Sequence, residues 1–187
     1  MEYKVDERNI FLKGNKVNLV ALTEAEVEYS NWFGWFNDEV VCETLQKHYF
    51  PNTKEKQMLF LKSQMENENK SLQLGIVDKS GEKLLGITSF YSIDFINRKC
   101  GFSIVMGELE GRNVSLFIEV GRLMFRHAFY TLNLRRVYGG SISKGLVSLM
   151  CRSLGCAEEG IARNDMFKNG KYHDIYLYAA LKEDFKY

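Results

Sequence analysis

The apolar residues of this chain follow two spacings, one typical of strands and one typical of helices. Alternating or continuous apolar runs predict strands over residues 16–22, 72–77, 84–94, 100–106, 136–142, 156–167 and 172–181. Apolar residues at helical spacing predict helices over 23–37, from 53 or 54 towards 70, over 114–132 and over 144–154. Because no repeat or internal linker interrupts this order, we expect a single α/β (α+β) domain over residues 1–187.

Capping and turn residues support several of these boundaries. Thr23 followed by Glu26 forms a capping box, in which two side chains satisfy the first free amides of a helix. Gly155 follows the last helix, where a glycine readily takes the left-handed conformation that ends helices. Asn169 and Gly170 favour a two-residue type I′ turn, which predicts a hairpin at the end of the chain.

The charge and cysteine content exclude several classes of protein. Lys and Arg total 25 against 24 Asp and Glu, and a net charge of +1 is too small for counterion release to drive nucleic-acid binding. No apolar run approaches the roughly 18 residues of a membrane span, and charges interrupt residues 1–13, so we expect a cytoplasmic protein. The spacing of cysteines and histidines matches no zinc set, so we expect no metal and four free thiols, Cys42, Cys100, Cys151 and Cys156.

The helix predicted over 23–37 is unusually aromatic. Its rings cannot all face one core stripe at 3.6 residues per turn, so part of this surface is expected to line a pocket or to meet a second subunit in a homodimer. The alternative is a core helix with a wide apolar face. The aromatic residues are Tyr29, Trp32, Phe33, Trp35 and Phe36.

Several segments together carry a resemblance to a known family. They are LNLRRV at 132–137, SLG at 153–155, EEGIAR at 158–163 and FKNGKYHD at 167–174. These segments resemble the GNAT acyltransferases, and within them the group that acetylates the N-termini of ribosomal proteins. The segment NKVNL at 15–19 resembles the first strand of this group. Within the group, WFND at 35–38, FP at 50–51 and DFINRK at 94–99 are most similar to members that acetylate amino-sugar nucleotides.

The resemblance implies a fold and an activity. The fold is a central mixed, mostly antiparallel twisted sheet of about seven strands flanked by about four helices. The activity is transfer of an acetyl or short acyl group from acetyl-CoA to the primary amine of a small molecule, with an amino-sugar nucleotide as one acceptor. Two alternatives stay open, a protein N-terminal acetyltransferase and a GNAT-like binding protein that has lost catalysis.

The resemblance also implies where acyl-CoA binds. The strand over 100–106 is expected to hold the thioester and pantetheine, and the pyrophosphate is expected at the N-terminus of the next helix, where free amides and the helix dipole attract anions. Lys144 stands where many relatives have an asparagine that contacts the pantetheine. The implied cofactor-binding residues are Ser103, Ile104, Val105, Met106, Gly107, Arg112, Asn113, Val114, Ser115, Leu116, Phe117 and Lys144.

The chain departs from the family pattern at several of its working positions. Ser115 and Phe117 replace the small residues of the phosphate turn, Gly101 stands where many relatives have a glutamate base, and Cys151 stands where many have a tyrosine acid. Asp94 and His173, with Tyr172 and Asp174 as further alternatives, are candidates for the base, and the Cys151 thiol for the acid. The residues expected to bind the acceptor are Trp32, Trp35, Asp38 and Tyr91.

Overall fold

A computed structural model describes residues 4–66 and 69–185 of the chain. Its centre is one sheet of eight strands in the order β1-β2-β3-β4-β5-β6-β8-β7. All neighbours are antiparallel except β5 and β6, which are parallel. The strands are β1 (Ile10–Lys13), β2 (Val17–Ala21), β3 (Leu72–Asp78), β4 (Leu84–Asp94), β5 (Lys99–Met106), β6 (Arg136–Ser141), β7 (Ala157–Lys168) and β8 (Lys171–Leu181).

Five α-helices in the described part of the chain cover the two faces of the sheet. They are α1 (Glu24–Tyr29), α2 (Trp32–Trp35), α3 (Lys54–Glu66), α4 (Val114–Arg126) and α5 (Lys144–Leu154). Apolar residues of α4 and α5 pack on one face of the sheet, and those of α1, α2 and α3 pack on the other. None of the described helices is both long and apolar enough to cross a bilayer.

The predicted fold class and strand positions are confirmed, with three corrections. Strand β1 was not predicted, because it is short, lies in a charged segment and alternates between half-buried and exposed residues. The helix predicted over 23–37 is broken into α1 and α2, because the Ser30 hydroxyl bonds to the Glu26 carbonyl and accepts from the amide of Trp32 at the break. The helix predicted over 114–132 ends at Arg126 and continues as a π turn over His127–Thr131.

Other predicted boundaries agree closely with the structure. The capping box at Thr23 and Glu26 is formed, and Gly155 ends α5 with φ 71°. Asn169 and Gly170 have φ 50° and 77°, as a type I′ turn requires. Helix α3 ends at Glu66, and part of the predicted extension towards residue 70 lies outside the described residues.

Strands β5 and β6 part from one another after a short parallel pairing. Lys99, Cys100 and Gly101 pair with Arg136, Val137 and Tyr138, and beyond these residues the two strands no longer form bridges. The remaining part of β5, up to Met106, therefore has a free edge towards β6. This opening between neighbouring strands gives a ligand access to backbone groups of β5.

Candidate active site

Two cavities lie beside β5, on opposite faces of the sheet. The first, which we call the α3 cavity, has a volume of about 500 Å³ and lies between β3, β4, β5, helix α3 and the loop that joins α2 to α3. The second, which we call the α5 cavity, has a volume of about 260 Å³ and lies between β5, that loop and the helices α4 and α5.

The two cavities share two lining residues. Val105 of β5 and Leu45 of the loop border both. Side chains of a strand alternate between its faces. Accordingly Ile104 and Met106 pack with the core under α4 and α5, whereas Val105 packs with the core under α1–α3. The cavities thus approach each other around the free edge of β5.

The α5 cavity collects most of the predicted cofactor residues. Leu146 and Leu149 of α5, with Val41 and Thr44 of the loop, complete its lining and were missed by the sequence reading. From the predicted set, the lining residues are Ile104, Val105, Met106, Arg112, Asn113, Val114 and Phe117.

The remaining predicted cofactor residues lie elsewhere. Ser103 lines the α3 cavity, Gly107 is buried, and Leu116 packs against the core. The ammonium of Lys144 lies 5.9 Å over the centroid of the Tyr176 ring.

The N-terminus of α4 borders the α5 cavity with few free amides. The amides of Arg112 and Asn113 donate to the carbonyls of Leu109 and Gly111, and the amide of Phe117 donates to the Asn113 carbonyl. The Asn113 side chain caps the helix by accepting from Ser115. Within this turn the amides of Val114 and Leu116 have no hydrogen-bond partner in the described chain. The turn therefore offers an anion fewer free amides than the sequence predicted.

Phe117 stands where the resemblance implies a small residue of the phosphate turn. Its half-buried side chain packs against the core and forms part of the wall of the α5 cavity.

A third cavity, which we call the turn cavity, extends from the same helix terminus. It has a volume of about 840 Å³ and shares Asn113 and Val114 with the α5 cavity. Lys16 bonds to the Ser115 hydroxyl, and the carboxylate of Glu119 accepts from the amides of Asn15 and Lys16. The turn between β1 and β2 is thereby tied to the first turns of α4. Its basic lining residues are Lys13, Lys16 and Arg122.

Tyr91 explains the glycine at position 101. Gly101 pairs with Tyr91 across β4 and β5, and a Cβ at position 101 would overlap the Tyr91 ring. The ring occupies the space that a longer side chain would need. Tyr91 lines the α3 cavity, as predicted for an acceptor-binding residue, and burial raises the pKa of its hydroxyl.

The expectation that the two tryptophans face an acceptor is corrected by the structure. Trp32 is 0% and Trp35 is 1% exposed, and both belong to the core under α1–α3. The Trp35 ring fills the space beside Gly107, and its Nε1 donates to Glu108 over 2.8 Å. Asp38 caps the following turn by accepting from the amides of Val40 and Val41. Of the aromatic residues between Tyr29 and Phe36, Phe36 lines the α3 cavity.

The three candidate catalytic groups are not brought together. Asp94 accepts from the side chain and the amide of Asn97, and these bonds lower the pKa of the carboxyl group. The Cys151 thiol is half-buried on α5, and burial raises its pKa. A ring nitrogen of His173 lies 3.3 Å from the carbonyl of Lys168. None of the three lines the α3 or α5 cavity, so their catalytic roles remain predictions without support from this geometry.

The structure places another histidine in the α3 cavity. His48 lies in the loop with φ 69°, a left-handed conformation that histidine adopts more readily than most residues. The loop lacks helical or strand periodicity, so no sequence signal beyond the neighbouring Pro51 indicated this position. Among the described residues lining this cavity, His48 is the one histidine.

The tip of the β7–β8 hairpin holds this loop in place. The buried Lys168 donates from Nζ to the carbonyls of Leu45, at 2.8 Å, and Lys47, at 3.1 Å. Its ammonium also lies 5.6 Å over the ring of Tyr49, whose hydroxyl donates to the Phe167 carbonyl over 2.8 Å. The hairpin thus fixes the backbone of Leu45, the residue common to both cavities.

Comparison with known proteins agrees with this architecture. No family model matches the chain. The chain is 29% identical over 105 residues to YdaF of Bacillus subtilis (strain 168), named as a ribosomal N-acetyltransferase; the match covers 55% of this chain and 56% of YdaF. It is 26% identical over 118 residues to YjcK of the same organism, named as an N-acetyltransferase; the match covers 63% of this chain and 65% of YjcK. The chain thus spans less than two thirds of the length of these curated relatives.

Solved structures match over nearly the whole chain. A spermidine N-acetyltransferase from Vibrio cholerae, in complex with CoA and spermine, superposes with a TM-score of 0.80 at 18% identity and covers 90% of this chain and 97% of its own. A second crystal structure, named as an acetyltransferase, has a TM-score of 0.78 at 20% identity and covers 94% and 99%. The fold is that of the GNAT acetyltransferases. The chain is thus similar in sequence to two named N-acetyltransferases and similar in fold to solved acetyltransferases.

Proposed function

We propose that this protein is an N-acyltransferase that moves an acetyl or short acyl group from acyl-CoA to a primary amine. One observation carries the proposal. The α3 and α5 cavities lie on opposite faces of the sheet and share the lining residue Val105, at the free edge of β5. Two substrates entering from opposite faces could react there without crossing the sheet.

The α5 cavity suits the acyl-CoA arm. Its apolar walls from β5 and α5 fit a narrow pantetheine chain, and the free amides of Val114 and Leu116 suit a phosphate at the helix terminus. The turn cavity continues from the same terminus and offers Lys13, Lys16 and Arg122 to the outer phosphates. The bound thioester would supply an activated acyl carbon.

The protein has two tasks in this reaction, which are to place the amine next to the acyl carbon of the thioester and to remove a proton from it. An acceptor ammonium first loses a proton, for which we propose the His48 imidazole. The amine nitrogen then forms a bond to the acyl carbon, the carbon–sulfur bond breaks, and the sulfur keeps the electron pair. The second proton of the amine ends on the thiolate, so that an amide and a free thiol result. Positioning of the two reactants supplies much of the rate.

The finer question is which amine is acylated. An amino-sugar nucleotide is the acceptor we propose, following the resemblance at residues 35–38, 50–51 and 94–99. The name of YdaF favours a second candidate, the N-terminus of a ribosomal protein. Both candidates use the same cavities and the same transfer step.

The thermal unfolding midpoint with acetyl-CoA or free CoA tests donor binding. Ligand at about 100 times its dissociation constant stabilises a fold by about 2.7 kcal/mol. For a chain of this length the midpoint should rise by roughly 5–10 °C. No rise with either ligand would favour the alternative of a GNAT-like protein that no longer uses acyl-CoA.

Thiol release in the presence of amines tests the transfer. A Val105→Phe variant should fill the point where the cavities meet and abolish amine-dependent thiol release, while the midpoint shift with free CoA persists. Ile161→Phe serves as the control, because Ile161 is 55% exposed on β7 and lines neither cavity. Full activity in Val105→Phe would refute the proposed meeting point.

A further inference from the structure

A row of uncharged polar side chains crosses the floor of the α3 cavity. Gln73 of β3 pairs with Ser89 of β4, and Ser89 pairs with Ser103 of β5. Residues directly opposite in antiparallel strands share a face of the sheet. All three side chains line the α3 cavity, so the sheet presents an amide and two hydroxyls side by side to whatever enters.

The polar atoms of this row are not used by the fold. The Oε1 atom of Gln73 is buried and has no hydrogen-bond partner in the described chain. The hydroxyls of Ser89 and Ser103, both half-buried, likewise make no hydrogen bond within the described residues. A buried acceptor without a partner destabilises a protein unless a ligand or water satisfies it. The row therefore has the chemistry of a binding surface for hydroxyl and amide groups.

The charges around this row have one sign. Lys47 and Lys56 line the cavity at its exposed rim, together with His48, and no Asp or Glu of the described chain lines it. The Lys56 ammonium donates to the Pro51 carbonyl over 2.9 Å, and that of Lys47 lies 5.7 Å over the Phe36 ring, so neither is neutralised by a carboxylate. A polycation entering here would meet only like charge.

From these observations we infer that the Gln73–Ser89–Ser103 row is the acceptor subsite, and that it takes an amine on a hydroxyl-rich, phosphate-bearing molecule and rejects polyamines. The row bonds to hydroxyl groups of the acceptor, and the lysines at the rim hold its phosphate. This inference rests on the proposed function only for the identity of the transferred group. The binding itself does not need acyl-CoA.

Titration calorimetry without acyl-CoA tests the inference independently of transfer. The probes are glucosamine, glucosamine 1-phosphate, uridine-diphosphate glucosamine and spermidine. Both phosphorylated probes should bind at least tenfold more tightly than glucosamine, and added salt should weaken only the phosphate-dependent part. Spermidine should not bind at matched concentration. The two phosphorylated probes distinguish a sugar phosphate from a nucleotide-linked sugar.

Two sets of variants separate the row from the rim. Lys47→Gln and Lys56→Gln should each lower the affinity for glucosamine 1-phosphate severalfold and leave that for glucosamine unchanged. Lys62→Gln is the matched control, because Lys62 lies on the same helix α3 outside the cavity and pairs with Glu24 at 3.9 Å. Gln73→Leu should weaken both sugars roughly tenfold, as expected for a lost hydrogen bond.

Gln73→Glu should shift the binding preference from glucosamine 1-phosphate towards spermidine. It places a carboxylate on the floor, so it should weaken glucosamine 1-phosphate and create measurable spermidine binding. Tighter binding of spermidine than of glucosamine 1-phosphate by the unaltered protein would overturn the inference. A short peptide with uncharged side chains and a free N-terminal amine is a fifth probe, and its binding in preference to both phosphorylated probes would also overturn the inference. Failure of the proposed function appears separately, as probe binding without any thiol release from acetyl-CoA.

Discussion

The buried lysine at the tip of the β7–β8 hairpin gives the sharpest prediction about the architecture of the site. Lys168→Met keeps the apolar stem and removes the ammonium that bonds to the Leu45 and Lys47 carbonyls. Hydrogen bonds from a charged donor are worth roughly 1.5–3 kcal/mol each. The contact with the Tyr49 ring adds roughly 0.5–1 kcal/mol.

The net effect is smaller than the sum of these terms, because an opened loop returns both carbonyls to water. We expect the free energy of loop opening to fall by about 2–4 kcal/mol, which is an increase of about 30- to 700-fold in the open population. Hydrogen exchange measures this directly at the amides of Cys42 and Leu45, which bond to the carbonyls of Asp38 and Cys42 at 3.0 Å each.

The control for this experiment lies on the same hairpin. Lys171 is exposed at the start of β8, and Lys171→Met should leave exchange in residues 38–50 unchanged. Because Leu45 borders both cavities, Lys168→Met should also raise the KM for acyl-CoA and acceptor more than it lowers kcat. Unchanged exchange at Cys42 and Leu45 in Lys168→Met would refute the idea that this lysine holds the loop.

Three further predictions concern stability. Burial lowers the pKa of His127 from its usual 6.5, so the unfolded chain binds a proton more readily than the folded chain. The free energy of unfolding should therefore fall as the pH drops from about 6.5 through the lower folded pKa. In urea titrations at several pH values, His127→Gln should make this pH dependence weaker. Gly107→Ala should cost about 1–3 kcal/mol in urea unfolding, because the new methyl overlaps the buried Trp35 ring. Hydrogen bonds from Arg136 lower the pKa of the Glu159 carboxyl group from 4.5. The stability that this ion pair contributes is therefore present above pH 4.5 and is lost as the pH falls through the folded pKa. In Glu159→Gln the unfolding midpoint should depend less on pH in this range.

The sequence by itself determined the helices and strands and much of the lining of the α5 cavity, the proposed acyl-CoA site. Strand and helix periods are local properties, and the capping box at Thr23, the stop at Gly155 and the turn at Asn169 and Gly170 depend only on neighbouring residues. The order of strand and helix at residues 99–126 then placed the backbone of β5 beside the N-terminus of α4. Most of the residues predicted to hold acyl-CoA accordingly line the α5 cavity.

Only the tertiary structure decided which side chains line the α3 cavity, the proposed acceptor site. The period of a short aromatic segment does not tell which ring points inwards, so Trp32 and Trp35 were expected in the site but are in the core. The loop that carries His48 has no period, and its position depends on Lys168, more than a hundred residues away along the chain. The polar row at Gln73 exists only because the registers of β3, β4 and β5 align, and register depends on pairing between strands rather than on the sequence of any one strand.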